Sequence, residues 1–173
     1  MSESKPALPE PWLRGTLTEV PPVARGVLHA LELAQEDLHR WCSPLTESHL
    51  HTHPAGLPSV AFQLRHLAGS VDRLLTYAEG HTLSGAQLQA LQLEKEATGT
   101  PAEILAQLDQ ALAQAARRIR SLASQDYASP RFVGRQQLPT TLGGLLVHIA
   151  DHTQRHAGQA ITTAKLISAS RAL

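Results

Sequence analysis

Four stretches of this chain repeat apolar residues every three or four positions, and proline, glycine and small polar residues punctuate the intervals. That spacing places the apolar side chains on one face of a helix, and a chain with four such faces must bury them against one another. The first stretch follows Pro21-Pro22 and runs through Val27, Leu31, Ala34 and Leu38 to Ser43-Pro44. The second spans about 59–79, with Ser59 as N-cap, Leu64, Leu67, Val71 and Leu75 on its stripe, and Gly80 at its end. The third opens on Thr100-Pro101-Ala102-Glu103, which combines a capping threonine, a first-turn proline and a capping-box glutamate, and it continues to about Ser124. The fourth begins at Thr140 or Thr141 and runs to about Ile167.

A shorter helix fits residues 84–97, whereas 46–58 and 126–139 read as loops, with Arg131-Phe132-Val133 as a short extended piece. No stretch reads convincingly as a strand. The expected fold class is all-α, a four-helix bundle with a short extra helix and an extended N-terminal arm. The arm covers residues 1–18, with Pro6, Pro9 and Pro11 keeping it extended and Trp12 and Leu13 available for docking. A single domain then covers 19–168, and 169–173 form a tail.

Bulk properties exclude several functions. Lys plus Arg and Asp plus Glu number 15 each, so no net charge attracts nucleic acid or an anionic membrane. No apolar run approaches the roughly 20 residues of a membrane span, and the N-terminus lacks the basic and apolar regions of a signal peptide. A lone cysteine, Cys42, rules out an internal disulfide and suits a reducing cytoplasm. The oddity is histidine: ten of them, in a chain with three lysines.

Two of these, His152 and His156, lie four residues apart on the last helix. An i, i+4 pair is offset by only about 40° around the axis, so both imidazoles share one side, one turn apart. His156 falls within the apolar stripe and His152 at its edge, which makes both at least half buried. Buried imidazoles need partners, and one divalent ion satisfies both at once. His148 extends the row by a turn but points further towards solvent. The metalloprotease pattern His-Glu-x-x-His is absent, because Thr153 follows His152. His49, His51 and His53 alternate along a loop, where the plain reading is solvated side chains rather than a metal-binding comb. His66 lies off the stripe of the second helix, on a flank shared with Phe62, and periodicity alone makes it half exposed.

The run from Thr141 to Gln159, with His152-x-x-x-His156-x-Gly158-Gln159 at its end, resembles the closing motif of the DinB-like (YfiT-like) superfamily. The element Gln63-Leu64-Arg65-His66-Leu67-Ala68-Gly69-Ser70 is similar to the histidine-bearing second helix of that family, and the resemblance extends over about 20–166. It implies a three-histidine metal site of His66, His152 and His156 near one end of the bundle. His66 would then belong to a second buried face. Gly158 would allow close helix packing, and Gln159 would orient a ligand or water.

Three imidazoles suit Zn, Ni or Fe(II) rather than Mg or Ca, and three protein ligands leave a coordination position open, as catalytic sites do. The resemblance implies a metal-dependent enzyme, because the family includes hydrolases and transferases that use a low-molecular-weight thiol such as bacillithiol or mycothiol. The partner would be a small-molecule substrate, and many family members are homodimers. With no glutamate placed as a base, thiol transfer stands slightly ahead of hydrolysis. Asp72, Asp151, Arg65 and Gln159 are the candidates for supporting the site. The alternatives are a non-catalytic metal- or small-ligand-binding bundle, possible in a stress response, and histidines that merely pack in the core.

Overall fold

The computed structural model describes residues 8–169, so the first seven residues of the arm and residues 170–173 of the tail lie outside the described residues. Four long helices form the body: α1 (Pro22–Cys42), α3 (Val60–Ala78), α5 (Pro101–Leu122) and α6 (Leu142–Ala169). The shorter α2 (Glu47–Leu50) and α4 (Gly85–Leu93) lie in the connections. Helix starts follow local chemistry. The Ser59 side chain accepts from the Phe62 amide, and Thr100 and Glu103 close a full capping box at α5. Thr141 Oγ1 accepts from the Gly144 amide at the start of α6.

The helices do not neighbour one another in sequence order. α1 packs on α6 and α5, and α3 packs on α6 and α5, which leaves α1 and α3 on one diagonal of the bundle and α5 and α6 on the other. The 43–59 connection therefore crosses the end of the bundle, and α2 and a 3-10 turn at Pro54–Gly56 lean on α6 on the way. These short helical pieces occupy what the sequence reads as plain loop. They span too few residues to show a period. The core is aliphatic throughout, with Leu38, Leu64, Leu75, Leu108, Ile119, Leu146 and Ile149 fully buried. Cys42 joins this core, where burial pushes its thiol up to about 12 and makes it inert.

The second diagonal step, from α5 to α6, carries a two-stranded antiparallel hairpin, β1 (Pro130–Val133) with β2 (Leu138–Thr141), in which Arg131 faces Thr140 and Phe132 faces Pro139. Only its first half had an extended reading from sequence, because four-residue strands interrupted by proline show no alternation to detect. Arg131 Nε donates to the Ala78 carbonyl at 2.5 Å and so ties the hairpin to the end of α3. Gly143 lets α6 start against Tyr127, because a Cβ there would meet the Tyr127 carbonyl oxygen at 3.1 Å.

The described part of the arm is not uniformly extended. Pro11–Leu13 forms a 3-10 turn that rests on α1, with Pro11 buried while Trp12 and Leu13, the expected docking residues, stay exposed. The Arg14 guanidinium grips both Glu36 oxygens, at 2.6 and 2.8 Å, and holds that carboxyl below its ordinary 4.5. A lowered folded-state pKa means the pair stabilises docking above the unfolded value and is lost as pH falls through the folded one. Trp12 emission in a Trp41→Phe background should therefore shift only below pH 4.5, and Glu36→Gln should show the acid spectrum already at neutral pH.

Candidate metal centre

Because α3 and α6 are adjacent, the side of α3 that carries His66 faces the His152–His156 pair. The rings of His66 and His156 lie 4.5 Å apart between centroids, those of His152 and His156 4.4 Å, and those of His66 and His152 5.3 Å. One ring nitrogen from each falls within 4.8 Å of the others, and all three side chains are part-buried. His66 is less exposed than periodicity implies, at 22% for the side chain, with Phe62 stacked parallel on its ring at 5.5 Å. The flank shared with Phe62 is thus a second packed face of α3.

The hydrogen bonds show which ring nitrogens are engaged by the protein. His66 Nδ1 lies 2.8 Å from Glu94 Oε2, and His156 Nδ1 lies 2.7 Å from Gln63 Oε1. Both partners accept, so these histidines carry their proton on Nδ1. His152 Nδ1 lies 3.2 Å from Ser70 Oγ, whose own proton goes to the Leu67 carbonyl. The serine oxygen therefore accepts as well. All three imidazoles have Nδ1 engaged as a donor, which makes Nε2 the remaining ligand atom of each, with Gln159 a second hydrogen-bonding neighbour of His156. An outer partner on the remote nitrogen that fixes tautomer and ring orientation is the arrangement seen around metal-ligating histidines.

Burial and neighbouring charge favour the neutral form of the two α6 histidines. Burial, followed by the neighbouring His156, His66, His148 and Arg155, pushes His152 down to about 4. His156 is lowered by burial, then by His66 and Arg155, against smaller opposing effects of Glu94 and Gln159. Unprotonated imidazoles are the form that binds an ion, and both histidines of α6 are biased towards it. A cleft of about 490 Å³ bounded by Gln63, Arg155, Gln159 and Thr162, with Gly158 in its wall, adjoins the cluster through Gln63, though none of the three histidines lines it. No atom lies within 4 Å of where a Gly158 Cβ would sit, so this glycine leaves the cleft open rather than permitting tight helix packing.

The remaining histidines go elsewhere. His148 is half exposed, its ring 5.5 Å from His152 and outside the three-nitrogen cluster. His51 Nε2 bonds the Gly99 carbonyl and His53 Nδ1 the Leu57 carbonyl, and His49 and His51 are half-buried rather than solvated as expected, because the loop folds against the bundle. Among the expected supporting groups, Asp72 pairs with Arg118, Asp151 pairs with Arg155, and Arg65 donates to the carbonyls of Glu96 and Thr98. Only Gln159 adjoins the cluster. The actual partners are Gln63, Ser70 and Glu94. Gln63 and Ser70 stand three before and four after His66, a helical spacing visible in the sequence; Glu94, 28 residues from His66, leaves no such trace.

No curated protein matches this chain in sequence. One of three solved chains that match in structure is YfiT from Bacillus subtilis, described as a probable metal-dependent hydrolase with an unusual four-helix bundle topology. It is 19% identical, the match covers 84% of this chain and 87% of that one, and the TM-score is 0.62, which establishes a shared fold. The diagonal connections of the long helices and the histidine-bearing α3 and α6 agree with a sequence match over residues 30–160: the chain belongs to the DinB superfamily.

Proposed function

We propose that this protein is a metal-dependent enzyme that holds one divalent transition ion, Zn, Ni or Fe(II), on Nε2 of His66, His152 and His156, and directs a low-molecular-weight thiol against a small electrophile. The observation that carries this reading is the matched set of three Nδ1–H bonds, to Glu94, Ser70 and Gln63, which leaves Nε2 as the remaining ligand atom of each ring in a cluster whose partner Gln63 also lines an open cleft. When bound, such an ion supplies Lewis acidity and makes a coordinated thiol or water a better nucleophile at neutral pH. The chain's own residues do the rest. Gln63, Ser70 and Glu94 hold the rings in register, and Gln159 and Arg155 line the space where a small substrate can be oriented.

Hydrolysis is the second reading, favoured by the description of YfiT. It asks for a carboxylate to take a proton from water, and the carboxylate nearest the site, Glu94, is already committed to His66 and Arg73. A thiol has a lower intrinsic pKa and needs no protein base once it meets a cation. Homodimer formation and residence in the reducing cytoplasm belong to the same proposal; the first rests on the family resemblance and the second on the single, buried cysteine.

The test is to load the purified protein with each metal in turn and follow conjugation of bacillithiol, mycothiol or cysteine to a chromogenic electrophile, beside a panel of esters and amides. Thiol- and metal-dependent turnover that chelator abolishes is the expected result. Ester or amide cleavage without any thiol requirement would transfer the assignment to hydrolysis. Metal binding with no turnover in either assay would leave a non-catalytic binding bundle.

A further inference from the structure

Helix α4 is attached to the bundle in an unusual way. None of its residues is buried, and Leu88 and Leu93 are 41% and 47% exposed, so no buried apolar face holds it down. Only Leu91 among its leucines is half-buried, and the hydrogen bonds that fasten it to α3 come from Gln87. Gln87 Nε2 donates to Asp72 Oδ2 at 2.7 Å and to Thr76 Oγ1 at 2.8 Å. Just after the helix, Arg65 donates to the carbonyls of Glu96 and Thr98. Between these two attachments sits the C-cap residue Glu94, itself 5% exposed, with Oε1 at 2.6 Å from Arg73 Nη1 and Oε2 at 2.8 Å from His66 Nδ1. The one deeply buried group of the whole segment is thus the one that touches a histidine of the cluster.

The backbone of α3 is shaped to receive it. Gly69 lies beneath the Glu94–Arg73 pair, and a Cβ at that position would stand 2.5 Å from Glu94 Oε1 and 2.7 Å from Arg73 Nη1. Any residue other than glycine would displace the carboxylate. Gly69 is on an α-helix, where nothing about its backbone calls for glycine, so the space it leaves is the reason for its presence. A carboxylate buried with both oxygens engaged, one by an arginine and one by an imidazole N–H, is costly to place and holds only in this geometry.

We propose that Glu94 is the positioning residue of His66, and that through it the 85–98 strap docks on α3 in step with metal binding at the three histidines. This rests on the metal reading of the cluster. Glu94 fixes His66 as the Nδ1–H tautomer with Nε2 left as its ligand atom. Undocking of the strap withdraws that acceptor and frees the ring. Binding of the ion selects the oriented ring and so favours the docked strap. The two equilibria share one free energy of coupling, which acts equally in both directions.

The experiment measures zinc affinity by chelator competition and amide hydrogen exchange, with and without zinc, on the full chain. Zinc should slow exchange across 85–98 as well as at the ligand-bearing turns of α3 and α6. Glu94→Ala should bind zinc about 10- to 100-fold more weakly, the range for loss of an outer partner, while Glu94→Gln, which keeps an acceptor oxygen, should recover most of the affinity. Gly69→Ala provides a variant that keeps every polar group and disturbs only the far ends of two flexible side chains; it should weaken zinc binding in the same direction as Glu94→Ala but by less.

Gln87→Ala separates coupling from local geometry. Gln87 is seven residues, about 10 Å of helix, from Glu94, so a several-fold loss of affinity there reports strap docking itself. A wild type that binds zinc with unchanged exchange over 85–98, or a Glu94→Ala affinity within twofold of wild type, would overturn the proposal while leaving the metal site intact. A wild type that binds no metal would instead remove the site, and this proposal with it.

Discussion

His152→Ala and His156→Ala each lose bound metal, and with it the stabilisation that metal confers. Wild-type protein dialysed against zinc should carry about one ion per chain, and each variant should bind at least ~100-fold more weakly, because a ligand counts for more than its outer partner. At zinc concentrations near a thousand times Kd, binding to the folded state alone stabilises by about 4.1 kcal/mol. For a domain of this size each kcal/mol shifts the melting temperature by about 2–4 °C, so zinc should raise Tm by roughly 8–16 °C and chelator should reverse it. Neither change should occur in His152→Ala. Metal-free wild type and His152→Ala should differ by only about 1 kcal/mol, the worth of the Ser70 hydrogen bond, since no ion is at stake in that comparison. Histidines that merely pack in the core give the opposite pattern, a Tm indifferent to zinc and chelator. Full metal occupancy in both alanine variants would refute the site.

Leu146→Ala should be a strongly damaging core truncation on α6. Leu146 is fully buried, and removing three carbons there costs about 2–5 kcal/mol from lost transfer energy and an unfilled cavity. A domain of this kind has only about 5–15 kcal/mol in total, so the variant should unfold at a clearly lower urea concentration with an unchanged slope. Leu146 stands six residues from His152, about 9 Å along the helix, so the core and the cluster should behave almost additively. Excess zinc should then restore about as much stability to Leu146→Ala as it adds to wild type. It should restore none to the double variant Leu146→Ala with His152→Ala. If zinc rescued the double variant equally well, metal would be binding elsewhere, and the loop histidines His49, His51 and His53 would need fresh attention.

These two predictions draw on different layers of the molecule. The Leu146 argument was accessible from periodicity, which places that residue at the centre of the α6 stripe. The His152 argument was half accessible: the i, i+4 spacing puts two imidazoles side by side on any helix, whatever packs against them. For the third histidine, local pattern pointed the wrong way. His66 lies off the main stripe of α3, and only family resemblance placed it with the others. Its burial follows from α3 having two packed faces, one towards the core and one towards the edge where α6 brings its histidines.

The site's supporting groups divide in the same way. Gln63 and Ser70 share a side of α3 with His66 at helical spacing, and a reading that asked what polar residues flank that histidine by a turn would have found them. Glu94 has no such signature. It reaches His66 because α4 folds back along α3, and the modest apolar face of α4, Leu88 and Leu91, is too short to reveal that return. The hairpin between α5 and α6 was hard to foresee for a related reason: four-residue strands lie below the length at which alternation is visible.

Sequence alone determined that this chain makes four long amphipathic helices, where each begins and ends, and that one of them presents a histidine pair. Those properties depend on residues within a few turns of one another, through capping, helical period and proline or glycine stops. Tertiary structure decided that α1 and α3 sit diagonally, that α3 therefore lies against α6, and that Glu94 arrives at His66 from a strap with only a short apolar face. Which helix faces meet is a matter of how whole apolar surfaces pair within the bundle, and no local spacing encodes that choice. The cluster of three imidazoles, with one ring nitrogen of each within 4.8 Å of the others, is the product of that pairing.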